Sequence, residues 1–287
     1  MAHHTHSNMI KYLTLLAALI ALPAMMTAQN FRIIYQDEST LTEAEKQERI
    51  DNVSVRINRA IKERQEDDGE EERTARPALP LDFQKRLQKN MKARMDATTT
   101  YSLTIVGGQS KWMEDSTSFI SDWEKQQRSR SGIADRAHYK DHRAKTATEF
   151  MRRDSATYGI QTNYREKLKW NVDRGATKEI GSFTCNRATA MVNDSTEIVA
   201  WFTPEILIPD GPQGYAGLPG LILQLDANDR RYTATSVKRL PADAESVAMP
   251  EVDRFFEDQQ EMYQEIFGGR GGRGRGRRGG RGRRPRW

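Results

Sequence analysis

The residues best suited to acid–base or metal chemistry are two histidines, His138 and His142, four positions apart in a His-Tyr-Lys-Asp-His segment. On a helix this spacing would put both imidazoles on one face, where Asp135 or Asp141 could complete a metal site, because zinc takes three or four converging ligands. The segment has no helical apolar stripe, and no Glu stands where a zinc hydrolase would place its base. We therefore interpret the pair as exposed histidines of a polar loop, with opportunistic metal binding as the alternative, and predict no cofactor.

The single cysteine, Cys185, is the other residue that could act as a nucleophile. It lies in an alternating stretch with Phe183 on the same face, and no Arg, Lys or His is clearly placed there to hold a thiolate. A free cysteine in a strand usually packs as a small apolar side chain. Core packing is the first interpretation, an intermolecular disulfide in an oxidising compartment the second, and a nucleophilic role the third.

The serines and carboxylates do not complete a catalytic set. No Gly-x-Ser-x-Gly sequence frames a serine, and no two carboxylates are placed as a general acid and base. The run Asp226-Ala227-Asn228-Asp229 lacks the glycine and the distal Glu of a calcium loop and is typical of a hairpin turn. The sequence therefore predicts no catalytic residue.

The strongest charge feature is the C-terminal segment 268–287, with nine Arg, nine Gly, one Pro, one Trp and no acid. Without these nine arginines, 36 of the 45 basic residues remain against 40 acidic ones, so the body of the chain is mildly acidic. Such a segment cannot bury enough apolar surface to fold, and we predict a disordered polycation.

The arginine content of the tail predicts that it binds anions. Arginine can fork two hydrogen bonds to a phosphate or carboxylate, which favours lipid headgroups, lipopolysaccharide or the acidic body of another copy as partners. Only Trp287 is available to stack on bases, which argues against specific nucleic-acid binding. The anion-binding residues are Arg270, Arg273, Arg275, Arg277, Arg278, Arg281, Arg283, Arg284 and Arg286.

Residues 1–28 predict an export signal. Lys11 precedes an apolar run at 12–22, and the segment ends at the small residue Ala28. A short apolar core behind a positive charge is typical of a secretory signal peptide, and the run is too short to span a hydrocarbon layer of about 30 Å. We expect a periplasmic or secreted protein, with the start of translation at either Met1 or Met9.

The remaining chain divides by pattern into a helical segment at 29–96 and a sheet domain at 97–267. In the first, Thr42 and Glu45 fit a capping box that begins an amphipathic helix, and a second helix follows Pro80. The charge run between them, at about 63–78, predicts a solvated linker.

From residue 98 the apolar pattern alternates, as in strands. Residues 122–144 are polar and unpatterned and predict a long loop or an exposed helix, and Pro250 predicts the start of a closing helix. Strands are expected near residues 101–105, 148–151, 158–164, 168–172, 180–192, 198–203, 221–225 and 232–237.

The most specific sequence is a hexapeptide that follows Trp201 and the turn residues Gly211 and Pro212. Pro219 and Gly220 suit the centre of a type II turn, where Gly supplies the positive φ. The hexapeptide consists of Gly217, Leu218, Pro219, Gly220, Leu221 and Ile222.

This passage resembles the GLPGLI family of exported Bacteroidetes proteins, of the Porph_ging type, over roughly residues 168–225, including Cys185 and Trp201. The resemblance implies an exported protein without an established activity. Because Gly, Leu and Pro carry no group that transfers protons, we expect the hexapeptide to be structural.

The patterns favour an α+β fold, in which a curved antiparallel sheet or incomplete barrel packs against helices and carries a disordered Arg/Gly tail. The first functional hypothesis is a non-enzymatic envelope protein that binds another protein or an apolar ligand in the concave face. The alternatives are a hydrolase or peptidase without a recognisable motif, and a structural surface protein anchored by its tail. A deep apolar cavity would favour the first, a polar cleft with converging acids and histidines the second, and a filled core the third.

Overall fold

The computed structural model describes residues 29–67, 81–117, 125, 132–164, 168–192 and 196–268. The predicted signal peptide, most of the predicted linker and the nine tail arginines lie outside these residues. Within them, the chain forms twelve strands and three helices.

The elements follow one another with the helices at the two ends of the chain. In chain order they are β1 (Phe31–Ser39), α1 (Glu43–Asp67), α2 (Leu81–Asp96), β2 (Thr99–Val106), β3 (Gln109–Thr117), β4 (Ile133–Asp141), β5 (Thr146–Arg153), β6 (Ala156–Asn163), β7 (Asn171–Ile180), β8 (Phe183–Val192), β9 (Thr196–Thr203), β10 (Leu221–Ala227), β11 (Arg230–Arg239), β12 (Arg254–Phe256) and α3 (Gln259–Gly268).

All twelve strands belong to one open sheet, in the order β12-β6-β5-β4-β3-β2-β1-β11-β10-β9-β8-β7. Neighbouring strands are antiparallel except for β12, which pairs parallel with β6. The fold is therefore α+β with a mainly β character, as predicted, and the sheet does not close into a barrel. β1 lies at the centre because it pairs on one side with β2 and on the other with β11.

The alternation of side chains gives the sheet two different faces. On the face that we call the inner face, Ile33, Tyr35, Leu103 and Trp112 are buried in the main core. On the opposite face, which we call the outer face, most intervening residues of the central strands are polar, such as Arg32 and Thr104, with Ile34 as an exception. This alternation of apolar and polar residues is the pattern from which the sequence predicted these strands.

The two N-terminal helices form a hairpin that is attached to the sheet at its base. The capping box is present: the Thr42 amide donates to the Glu45 carboxylate at 2.7 Å, and the Glu45 amide donates to the Thr42 hydroxyl at 3.3 Å. Lys46 joins the helices through Asp96 at 2.6 Å. α1 continues to Asp67, into the first residues of the predicted linker. No helix in the described parts of the chain is long and apolar enough to cross a membrane.

Two local predictions are wrong. Part of the predicted loop at 122–144 is strand β4, which was hidden because it carries polar residues toward both faces and so has no simple alternation. The closing helix begins at Gln259, because residues 254–256 extend to form β12. The Asp253 carboxylate fixes this extension by accepting the Thr157 amide at 2.7 Å.

Candidate functional site

The connection between β9 and β10, residues 204–220, lies against the inner face, and we call it the motif loop. Its buried side chains Ile206 and Leu218 belong to the main core. Inner-face side chains bind the backbone of the loop and of the strand that follows it. Tyr35 donates to the Ile222 carbonyl at 2.6 Å, and Trp170 donates to the Ala216 carbonyl at 3.0 Å. The loop therefore covers part of the inner face, the face on which we expected a ligand.

The motif loop is built from very tight turns, each closed by a hydrogen bond between residues two apart. These bonds join the amides of Ile208, Asp210 and Gly220 to the carbonyls of Ile206, Ile208 and Leu218, each at 2.8 Å. The middle residues of the second and third turns are Pro209 and Pro219. The fixed φ of proline, about −65°, suits the central position of an inverse γ-turn. A three-residue turn therefore forms where the sequence predicted a type II turn.

Two glycines of the loop are required by close approach of the backbone to its surroundings. Gly220 has a φ of 159°, so the predicted positive φ is present, although the turn is not type II. A Cβ at Gly220 would also lie 2.1 Å from the Thr203 carbonyl oxygen. A Cβ at Gly211 would lie 2.8 Å from Ile222. The neighbouring Pro212 is buried, whereas Leu207 and Pro219 of the same loop are exposed.

A buried cluster of charged groups, Lys140, Asp210 and His142, joins the motif loop to the β4 side of the sheet. The Lys140 ammonium lies 2.6 Å from Asp210 Oδ1, and both side chains are fully buried. His142 Nε2 lies 2.9 Å from Asp210 Oδ2. The ammonium also donates to the carbonyls of Gly211 at 2.6 Å and Gln213 at 2.7 Å. All three ammonium hydrogens are therefore used inside the protein.

The electrostatics of this buried cluster favour the ionised carboxylate. Burial alone raises the pKa of Asp210, but Lys140 and His142 outweigh it and hold that pKa well below its usual value. Burial lowers the pKa of Lys140, and Asp210 opposes the shift. Because the lysine is enclosed by acceptors, it is not available as a nucleophile or base, and the cluster holds the loop in place.

The histidines do not lie as predicted. His138 is half-buried on β4 rather than in a loop, and the His142 side chain is only 9% exposed, with Nδ1 at 3.4 Å from the Tyr164 hydroxyl. The interpretation as exposed loop residues is wrong because His138 lies on β4, and His142, in the turn after β4, is covered by the motif loop. Among the described residues, no three His, Cys, Asp or Glu side chains group as ligands for a metal.

A small cleft beside the motif loop contains the other histidine. It has a volume of about 150 Å³ and is lined on its polar side by His138, Glu149, Thr162, Gln213 and Tyr215. His138 and Glu149 are directly opposite each other on β4 and β5. The cleft therefore brings together an imidazole and a carboxylate, a pair that can exchange protons with a bound molecule.

A second pocket, of about 250 Å³, lies on the outer face between β4 and the segment around Met249. Both volumes are below the roughly 300–1,000 Å³ that is common for drug-sized ligands. Neither pocket is the deep apolar cavity that an apolar ligand would need.

Cys185 is fully buried, and burial raises the pKa of its thiol to about 11, although Lys178 opposes the shift. Lys178 lies directly opposite Cys185 on the neighbouring strand, a placement that the sequence did not reveal. Its ammonium lies 4.4 Å from the centre of the Trp201 ring and donates to the Gln224 side chain at 2.7 Å. The thiol is therefore protonated at neutral pH and poorly suited to nucleophilic attack.

Sequence reasoning missed the residues that hold the site together, namely Lys140, Asp210 and Tyr35. Asp210 was visible only as part of a turn next to Gly211. Its partner lies 70 positions earlier on a strand that we predicted as a loop, so no local spacing could connect the two.

Comparison with known proteins gives one family match. A family model described as "Protein of unknown function (Porph_ging)" matches residues 190–224, which contain the end of β8, β9, the motif loop and the start of β10. No curated protein matches the chain.

Two structures of PNGF-II, in space groups C2 and P21, are similar to this chain with a TM-score of 0.46 and 13% identity. The likeness covers 83% of this chain and 32% and 33% of the PNGF-II chains, so this chain spans about a third of their length. The family match confirms the resemblance that the hexapeptide carries: residues 190–224 of this chain are similar to the Porph_ging family, whose function is unknown.

Proposed function

We propose that this chain is an exported, non-enzymatic binding protein of the cell envelope that works through its outer surface. The observation that carries the proposal is the covering of the inner face by the motif loop. Trp170 and Lys140 bind the backbone of the loop, and Tyr35 binds the start of β10, which follows it. Beside the loop, the described residues of the inner face leave only a cleft of about 150 Å³, so we place the binding of a large partner elsewhere on the molecule. Because the inner face is largely covered, we favour a macromolecular partner over an apolar ligand.

The chemistry of the buried groups supports the same proposal. Asp210 and Lys140 have perturbed pKa values, which often mark catalytic sites. Here the hydrogen-bonding capacity of both groups is used in holding the loop, so the perturbation reflects structure. Export rests on the predicted signal peptide at 1–28 and on the family resemblance. The Arg/Gly tail would add a polycationic anchor to anionic surfaces of the envelope.

A second candidate function is hydrolysis in the small cleft, and the pairing of His138 with Glu149 favours it. Glu149 also accepts a hydrogen bond from Gln259 at 3.4 Å, at the start of α3, so the carboxylate is positioned. The cleft would accept only a small part of a substrate, because its volume is about 150 Å³. No buried nucleophile lines it, so the reaction would use an activated water.

The two functions are separated by testing turnover and probe binding in parallel. The parent and two variants are incubated with peptide and ester libraries, and the products are followed by mass spectrometry. The test variant is Glu149→Gln. The matched control is Gln161→Glu, which changes a residue on the outer face of β6. Saturable binding of the apolar probe anilinonaphthalene sulfonate is measured in the same proteins. We expect no turnover that depends on Glu149 and no saturable probe binding. Turnover lost only in Glu149→Gln would establish the hydrolase and end the proposal.

A further inference from the structure

The outer face of the sheet carries a straight row of cations next to the turn between β2 and β3. Arg32 on β1 is directly opposite Lys238 on β11, and on its other side it is opposite Thr104 on β2. Thr104 in turn is opposite Lys111 on β3. We call Arg32, Lys238 and Lys111 the cation row. It crosses three strand intervals of about 4.8 Å and is therefore about 14 Å long.

The cation row forms no ion pair with an acid among the described residues. Arg32 and Lys238 are exposed, and none of the described residues forms an ion pair with either of them or with Lys111. Lys111 lies over the Tyr139 ring at 5.6 Å from its centre. The exposed acids Asp243 and Glu245 follow β11, but the ion pairs of the described chain do not connect them to the row. Like charges directly opposite each other destabilise a sheet, so this arrangement opposes folding.

At the other end of the same strands, a cation on the outer face is paired with acids. Arg231 on β11 is opposite Glu38 on β1 and Asp226 on β10. Its guanidinium lies 2.8 Å from Asp226 Oδ2 and 3.7 Å from Glu38 Oε1. At one end of the face Arg231 is therefore paired with acids. At the other end no ion pair among the described residues joins the cation row to an acid, although Asp141 lies on the same face, opposite Gln109.

We propose that the cation row is a docking surface for an anionic lipid bilayer. The proposal rests on the proposed function, because a protein that works through its outer surface needs a surface on which a partner can bind. The row lies on an open sheet face and not in a groove. Its neighbours Thr104 and Ser236 are small and polar, and they leave the cations accessible.

A bilayer fits this surface better than an acidic protein segment. Protein interfaces usually concentrate their binding energy in aromatic or Arg anchors that fill pockets, and neither of the two pockets described above lies among these three side chains. An anionic bilayer needs only several cations on one broad face, each contributing by proximity to the surface. Three such residues bind weakly, so the face and the predicted polycationic tail would act together on the same membrane.

The test is co-sedimentation of the full chain with vesicles that mix phosphatidylglycerol with phosphatidylcholine, in the parent, Lys238→Glu and Lys85→Glu. Lys85 is exposed on α2, away from the sheet face, so its variant has the same net charge. We expect Lys238→Glu to weaken binding about 25-fold, at about fivefold for each unit of charge. We expect Lys85→Glu to change it by less than about fivefold. Because the new Glu would be opposite Arg32, the thermal midpoint of Lys238→Glu should equal or exceed that of the parent.

Three results would overturn the proposal: no binding of the parent, equal losses in the two variants, or a loss explained by unfolding. In a parallel arm, polyglutamate replaces the vesicles. If Lys238→Glu weakened only polyglutamate binding, the partner would be an acidic protein segment and not a bilayer. None of these results bears on the proposed function, which fails only through turnover or saturable binding of the apolar probe.

Discussion

Asp210 and its partners are enclosed by the fold and paired with one another. By contrast, Arg32 and Lys238 are exposed, Lys111 is half-exposed, and none of the three forms an ion pair with a described acid. The difference follows from solvation. A buried charge without a partner costs several kcal/mol, while an exposed one costs far less because water and salt screen it. Pairing is therefore obligatory inside the protein and optional on its surface. Charges inside this protein are fixed by its architecture, whereas exposed charges are left to serve binding, as we propose for the cation row.

Removing the carboxylate of the buried cluster should produce the largest effect. Asp210→Asn leaves the Lys140 ammonium buried without its counter-charge, and we expect a loss of about 3–5 kcal/mol in the free energy of unfolding, measured in urea. The matched control is Asp226→Asn, which breaks a more exposed pair with Arg231 and should cost less than about 1 kcal/mol. Equal losses would show that the buried cluster is not more important than a surface pair.

A smaller effect is expected when a hydroxyl is removed on each face. Tyr35→Phe leaves the buried Ile222 carbonyl without its donor and should cost about 1–3 kcal/mol. Thr235→Val removes an exposed hydroxyl that donates to the Ile34 carbonyl at 3.2 Å, where water can replace it, and should change stability by less than about 0.5 kcal/mol. Thermal unfolding followed by circular dichroism compares the two variants. A larger cost for Thr235→Val would contradict this account of the inner face.

The smallest effect is a change in how stability depends on pH. Because the pKa of Asp210 is lowered in the folded protein, its stabilisation is present above the pKa of an unfolded Asp, about 3.9, and is lost as the pH falls below it. Asp210→Asn should therefore lose less stability than the parent between about pH 5 and pH 2. Parallel curves of stability against pH for the parent and Asp210→Asn would show that Asp210 is not the group whose ionisation stabilises the fold.

Vesicle binding through the cation row should stay constant from about pH 5 to pH 8, since Arg and Lys remain charged.

The sequence predicted those parts of the fold that depend on local patterns. The capping box at Thr42 and the alternation of Tyr101, Leu103 and Ile105 were each confirmed, because their signals lie within a few residues. β4 was missed because Ala137 and Tyr139 pack in a small cluster on the outer face while Lys140 points to the motif loop. A strand that is partly buried on both faces shows no regular alternation of apolar and polar residues in its sequence.

The candidate site was less predictable than the fold. The hexapeptide identified the right region, and the family match confirms it. The partners that hold it come from β1, β4 and residue 170, and these contacts exist only after the sheet has formed. The cation row has the same origin, since Arg32 and Lys238 become neighbours through strand pairing alone. Periodicity in one chain cannot show which strands become adjacent.

The central position of β1 affects how the protein is made. Phe31 pairs with Arg239, and the Tyr35 hydroxyl binds a carbonyl 187 positions later. A chain that emerges from the ribosome N-terminus first must hold β1 with one edge unpaired until β11 has been synthesised, so the middle of the sheet cannot close during most of translation. An exposed strand edge favours aggregation. The order of strands thus delays the closing of the centre of the sheet until β11 has been made, although hairpins such as β5–β6 can form earlier.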